Sequence, residues 1–203
     1  FVDIFEKNRF CSKLDFYMLK KAIQQIRKWI DMGMNPVNIS VNQSKIVFYH
    51  ENYISEIKSL LEEYNVSGSY ITLEVLESTV IEDIDMFNSI LTEVKKLGFS
   101  VSLDDFGSGY SSLNVLSKLQ IDELKIDRIF LHTKSEVDNQ RTKWILESII
   151  DIAKKSQILV VVEGVESKQD DLFIKNLGAD IGQGYFYGRP LSISAFNDLI
   201  ETK

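Results

Sequence analysis

Phe99-Ser-Val-Ser-Leu-Asp-Asp-Phe-Gly-Ser-Gly-Tyr110 decides how the rest of the chain is read. Its first five residues, Phe99 to Leu103, alternate apolar and polar as a strand with a buried face does, and the acidic pair Asp104-Asp105 opens a loop rich in glycine. Just upstream, Ile84, Phe87, Ile90, Leu91, Val94 and Leu97 recur at helical spacing, and Gly98 stops that helix before the strand begins. Helix, glycine, strand and polar exit form one unit.

The unit repeats in both directions. Leu19, Ile23, Ile26 and Ile30 make a helical stripe closed by Gly33, and the strand Val37-Asn-Ile-Ser-Val41 follows Pro36. Tyr53, Ile57, Leu60, Leu61 and Tyr64 mark the next helix, Gly68 breaks it, and Tyr70-Ile-Thr-Leu-Glu-Val75 is the next strand. Downstream come a short helical stretch through Leu113 and Leu116, a strand at 123–126, a helix at 144–153 and a strand at 158–162. A helix at 169–177 is closed by Gly178, a last strand lies near Ile181, and a final helix spans 194–200. Strict alternation of this kind predicts parallel strands joined by crossover helices. Six strands satisfy an open doubly wound sheet, whereas a closed (β/α) barrel has eight strands and needs about 250 residues.

The strand exits favour the barrel. Asn38, Glu74, Asp104, Lys125, Glu163 and Gln183 each stand at or near the C-terminal end of a strand, and in a parallel barrel all such ends face one opening. Taken singly, each has an ordinary explanation as a solvated carboxylate, a helix cap, a surface ammonium or turn material. Two carboxylates as close as Asp104 and Asp105 repel by about 4 kcal/mol at ~4 Å and an effective dielectric of ~20, unless they point apart. A divalent cation relieves that repulsion. An all-oxygen donor set suits Mg²⁺ or Mn²⁺ rather than zinc, because the chain has one cysteine and two histidines, His50 and His132, both read as surface residues. Gly107-Ser-Gly109 matches neither a dinucleotide fingerprint nor a Walker motif.

Composition narrows the partners. With 203 residues and 44% hydrophobic content the chain can bury a core, and it reads as one domain over 1–203. The 30 acidic residues against 23 basic ones, net charge -7, argue against a surface for nucleic acid polymers. The single Cys11 fits a reducing compartment, so the expectation is cytoplasmic, and no run of about eighteen apolar residues predicts membrane contact from this stretch. A parent protein could still be anchored elsewhere.

Asp104-Asp-Phe-Gly-Ser-Gly-Tyr-Ser-Ser-Leu113 resembles the Asp-Asp-Phe-Gly-Thr-Gly-Tyr-Ser-Ser-Leu signature of EAL domains. The resemblance extends to Val37-Asn-Ile-Ser40, Leu73-Glu-Val-Leu-Glu-Ser78, Leu124-Lys-Ile-Asp-Arg128, Val162-Glu-Gly-Val-Glu166, Gly182-Gln-Gly-Tyr185 and Arg189-Pro190, and so covers essentially the whole chain. It implies a TIM-like (β/α)8 barrel that hydrolyses cyclic di-GMP to linear pGpG with Mg²⁺ or Mn²⁺, two ions in all, as a homodimer. By correspondence Asn38, Glu74 and Asp104 are metal ligands, and Asp105 holds the second metal. Lys125 orients water or phosphate, and Glu163 is the general base. Asp127, Glu166, Gln183, Glu77, Arg189 and Pro190 complete the surrounding or substrate-binding positions.

Two departures follow from the same resemblance. The family's Glu-Ala-Leu motif, with a further ligand, would lie upstream of Phe1, so the expectation is a barrel lacking its first one or two strands in this stretch. Leu76 stands where the family usually has Thr. Both departures support a competing expectation, a catalytically impaired domain that binds cyclic di-GMP or serves as a signalling or dimerisation module. A receiver-like phosphoacceptor fits poorly, because six strands and the late Glu163-Gly-Val-Glu166 have no place in it.

Overall fold

In the computed structural model, residues 10–77, 84–108, 113–131 and 136–201 are described. Ser78, residues 109–112 of the acidic loop's signature, His132 and the first nine residues lie outside them. The chain divides into two compact units, Phe1–Lys125 and Ile126–Lys203.

Unit 1 opens with α1 (Phe10–Asp31), whose buried stripe Leu19, Ile23 and Ile26 is the expected one, with Trp29 rather than Ile30 at its end. Strand β1 (Ile39–Gln43) leads through the short α2 (Lys45–Phe48) to α3 (Tyr53–Tyr64), which buries Tyr53, Ile57 and Leu61. Strand β2 (Ile71–Leu76), helix α4 (Ile84–Lys96), strand β3 (Ser100–Phe106), helix α5 (Leu113–Lys118) and strand β4 (Glu123–Ile126) follow. The strands lie in chain order, β1 to β4, and the pairs β1–β2 and β2–β3 are parallel.

Pleating gives this sheet two chemically different faces. Ile71, Leu73, Val75, Val101 and Leu103 are fully buried on one face, each contributing about 1.5–3 kcal/mol by removal from water. On the other, register sets Ser40 beside Thr72 and Ser100, Asn42 beside Glu74 and Ser102, and Leu76 beside Asp104.

Of the boundaries that differ from expectation, two bear on the site. Strand β3 runs on through Asp104 and Asp105 to Phe106, because Asp104 pairs in register with Leu76 and the Phe106 side chain is buried beyond it. Strand β1 starts and ends two residues later than the Val37–Val41 reading. Asn38 is held ahead of it by its side chain, which donates to the Ser69 carbonyl at 3.4 Å and accepts from the Thr72 hydroxyl at 2.9 Å.

Unit 2 contains helix α6 (Glu136–Lys155), strand β5 (Leu159–Val162), helix α7 (Lys168–Leu177), the two-residue strand β6 (Ile181–Gly182) and helix α8 (Ile193–Glu201). Leu146, Ile150, Ala153, Val160 and Val162 form its core. Strands β5 and β6 are parallel, with Val161 beside Ile181 and Val162 beside Gly182. A reciprocal cap starts α7: Ser167 accepts from the Asp170 amide, and the Asp170 carboxylate accepts from the Ser167 amide. No helix of the described residues is long and apolar enough to cross a membrane.

Candidate active site

Unit 1 gathers three of the sequence-predicted residues into one buried cluster. Glu74 on β2, Asp104 on β3 and Lys125 on β4 come from successive strands, and the Lys125 ammonium lies 3.0 Å from Glu74 Oε1 and 3.1 Å from Asp104 Oδ1. Lys125 is 4% exposed, Glu74 7% and Asp104 9%. Burying such ions costs several kcal/mol apiece, and the Lys125 charge offsets part of the two carboxylates' charge here. These three side chains together carry a net negative charge.

Asp105 adds to it through its backbone. Successive strand residues normally face opposite ways, but Asp105 has φ +57°, a left-handed conformation that Asp adopts more readily than most residues. Asp104 and Asp105 each offer an oxygen within 4.8 Å of the other, and the Asp105 amide donates to Asp104 Oδ1 at 3.0 Å. Non-glycine backbone in this region costs on the order of 1 kcal/mol and clusters at functional sites. Nearby, burial and the Glu74 and Asp104 charges push the Glu123 carboxyl above its ordinary range, against the Ser102 hydroxyl and Lys125, with burial the largest cause.

Oxygen donors, residual negative charge and paired carboxylates suit a hard divalent cation. This acidic cluster has the chemistry to bind a metal.

Asn38 precedes β1. It lies at the N-terminal end of β1, against the expectation of a strand exit, and its amide is engaged with Ser69 and Thr72. The amide in register with Glu74 belongs instead to Asn42. Sequence alternation carried the signal: Val37, Ile39 and Val41 occupy one parity, Asn38, Ser40 and Asn42 the other, so the last polar side chain before Gln43-Ser44 is Asn42. Glu77, 5% exposed, lies directly after β2, and Leu76 is 42% exposed beside the Asp104 position.

The remaining predicted residues belong to unit 2, where backbone hydrogen bonds hold Glu163 and Gln183 in their loop. Glu163 is half-buried and its amide donates to the Ile126 carbonyl at 3.0 Å. The Gln183 amide donates to Val162 O at 2.9 Å, the Val165 amide to Gln183 O at 3.0 Å, and the Phe186 amide to Val165 O at 3.0 Å. Gly184 is required in this ladder, since a Cβ there would stand 2.1 Å from the Val165 carbonyl oxygen. Asp127 is occupied as a turn cap, accepting from the Ile129 amide at 2.8 Å. Glu166 and Pro190 are exposed, and the Arg189 guanidinium lies 5.0 Å from the centre of the Tyr185 ring. His50 is an exposed residue beside Glu56, as its sequence position suggested.

Residues 1–190 match the family model described as EAL domain. The chain is 34% identical over 191 residues to the bifunctional diguanylate cyclase/cyclic di-GMP phosphodiesterase MucR of Pseudomonas aeruginosa, covering 94% of this chain and 28% of that protein. It thus spans about a quarter of the length of the curated relatives it matches. Among solved structures it resembles the PaMucR phosphodiesterase in complex with c-di-GMP, with TM-score 0.86, 32% identity and coverage of 97% of this chain and 84% of that one. A manganese/cyclic di-GMP complex of Klebsiella pneumoniae BlrP1 is similar at TM-score 0.74 and 25% identity, over 90% of this chain and 44% of that one. These likenesses carry the fold class, α/β of the TIM-like barrel type. The chain belongs to the EAL domain family.

Proposed function

We propose that this chain, read as a single EAL domain, hydrolyses cyclic di-GMP to linear pGpG with Mg²⁺ or Mn²⁺, in the cytoplasm and as a homodimer. The observation that carries the reading is the buried Glu74–Lys125–Asp104 cluster: three strands each spend a core position on a charge, which stability alone does not reward. The names of MucR and PaMucR supply the substrate class.

Glu74 and Asp104 would hold one cation and Asp105 a second. When bound, the ions supply polarisation of the phosphodiester and stabilisation of the departing oxygen. Lys125 keeps the two carboxylates in place before loading and orients a phosphate oxygen or water. Glu163 accepts the proton of the attacking water. Gln183 and Glu77 support these groups, Arg189 and Pro190 border the substrate, and Asp127 and Glu166 shape the loops that follow their strands.

Incubating the full-length protein that contains this chain with cyclic di-GMP and Mn²⁺ should release pGpG, and Glu163→Gln should cut kcat by about a hundredfold or more. Unchanged turnover in that variant would remove Glu163 from the reaction. The second reading, a domain that binds cyclic di-GMP without cleaving it, is favoured by Leu76, an apolar side chain in register with Asp104. Calorimetry that shows binding while no pGpG forms would select it.

A further inference from the structure

Tyr187 ends the Gly182-Gln-Gly-Tyr-Phe-Tyr187 loop with its ring half-exposed, yet its hydroxyl reaches inward. It donates to Asp171 Oδ1 at 2.6 Å, the length of a charge-assisted bond, and Asp171, in the first turn of α7, is 7% exposed. The other Asp171 oxygen accepts from Lys175 at 2.9 Å. An independent observation shows that the backbone is shaped around this contact. A Cβ on Gly182 would stand 2.3 Å from the Tyr187 hydroxyl and 2.8 Å from Ile174 Cδ1 of α7, so the ring crosses the chain where only hydrogen fits.

Gln183 follows Gly182 directly, and both its peptide groups are spent on the loop that carries Glu163: its amide on Val162 and its carbonyl on Val165. Whatever anchors the 182–187 loop to α7 therefore sets where Gln183 sits relative to Glu163. We infer that Asp171 and Tyr187 are positioning residues, a strap that ties the 182–187 loop to α7 and thereby holds Gln183 and the Glu163 loop in the arrangement turnover needs. The strap keeps its form across neutral pH, since the Tyr187 bond and Lys175 hold the Asp171 carboxyl below its ordinary range. Burial and the Asp171 carboxylate push the Tyr187 hydroxyl up to about 12.

The inference rests on the hydrolytic reading for its kinetic consequence, and on the geometry alone for its effect on the loop. In the full chain with Mn²⁺ and cyclic di-GMP, Tyr187→Phe should lower kcat about tenfold with KM within about twofold, the pattern of misplaced rather than unbound substrate. Asp171→Leu should reproduce that loss. Asp171→Asn keeps an acceptor for the hydroxyl and should stay within about twofold of the parent chain. Without nucleotide, amide exchange at Val165 and Gln183 should quicken in Tyr187→Phe and Asp171→Leu but not in Asp171→Asn, while the α6 amides keep their rates. Unchanged kcat and exchange in Tyr187→Phe would overturn the strap, and so would a uniform quickening along the chain. If the parent chain turns over no cyclic di-GMP, the hydrolytic reading fails, and the exchange pattern still decides whether the strap exists.

Discussion

The two units hold their functional groups by opposite means. In unit 1, Glu74, Asp104 and Lys125 are nearly solvent-free and hold one another by charge, on strands whose other face is packed with Leu73, Val75 and Leu103. In unit 2, Glu163 is half-buried and Gln183 exposed, and their peptide groups bond to Ile126, Val162 and Val165. A charge cluster ties function to stability, because removing one member leaves another buried and uncompensated. A backbone ladder survives a change of the Gln183 side chain and makes the space beside it, at Gly184, the sensitive point.

The largest effect expected from this contrast is at Lys125. Lys125→Met keeps the bulk and removes the charge, leaving two buried carboxylates without their cation, and should destabilise the chain by about 3–5 kcal/mol in denaturant unfolding. Mn²⁺ should restore part of that loss by taking over the neutralisation. Gln183→Met in unit 2, whose peptide bonds survive the exchange, should unfold close to the parent chain. A Lys125→Met loss no larger than that of Gln183→Met would erase the distinction between the units.

Gly184→Ala comes second. The added Cβ meets the Val165 carbonyl oxygen at 2.1 Å, a backbone atom that moves only if the Gln183–Val165–Phe186 ladder shifts. Overpacking of this kind costs about 1–3 kcal/mol. The loss should appear with Val165 and Gln183 amides exchanging faster. Full stability in Gly184→Ala would show that the ladder is loose and that Glu163 owes its place to something else.

The same contrast explains what could be read before any coordinates. The six strands and the longer helices between them were legible, because apolar periodicity and the stops at Gly33, Gly98 and Gly178 are local signals, whereas the one-turn helix Lys45–Phe48 carries none. Glu74, Asp104 and Lys125 were legible as strand-exit charges, although their mutual distances come only from register. The β1 boundary was not: the strand starts at Ile39, after Asn38, and runs to Gln43, which sets Asn42 rather than Asn38 in register with Glu74. Such a boundary depends on where pairing with β2 begins, a tertiary fact. Asp105 was legible as a charge but not as a left-handed residue. The Asp171–Tyr187 tie was invisible, since two polar residues sixteen positions apart carry no spacing signal and their partnership depends on how the 182–187 loop folds back on α7.

The smallest effect separates the units by pH. Tyr187 is raised by burial and by Asp171 up to about 12, so its contribution to stability is complete below the ordinary tyrosine range near ~10 and fades as pH climbs toward that higher value. Asp171 is lowered, so its contribution is complete above the ordinary carboxyl range near ~3.9 and fades as pH drops through the lowered one. The difference in unfolding midpoint between the parent chain and Tyr187→Phe should therefore stay flat from about pH 5 to 9 and narrow above about pH 10. In Asp171→Asn the tyrosine loses the negative neighbour that raises it, so the same narrowing should begin at lower pH. A difference that changes between about pH 6 and 8 would mean that a group other than these two governs the tie, because neither changes its charge in that window.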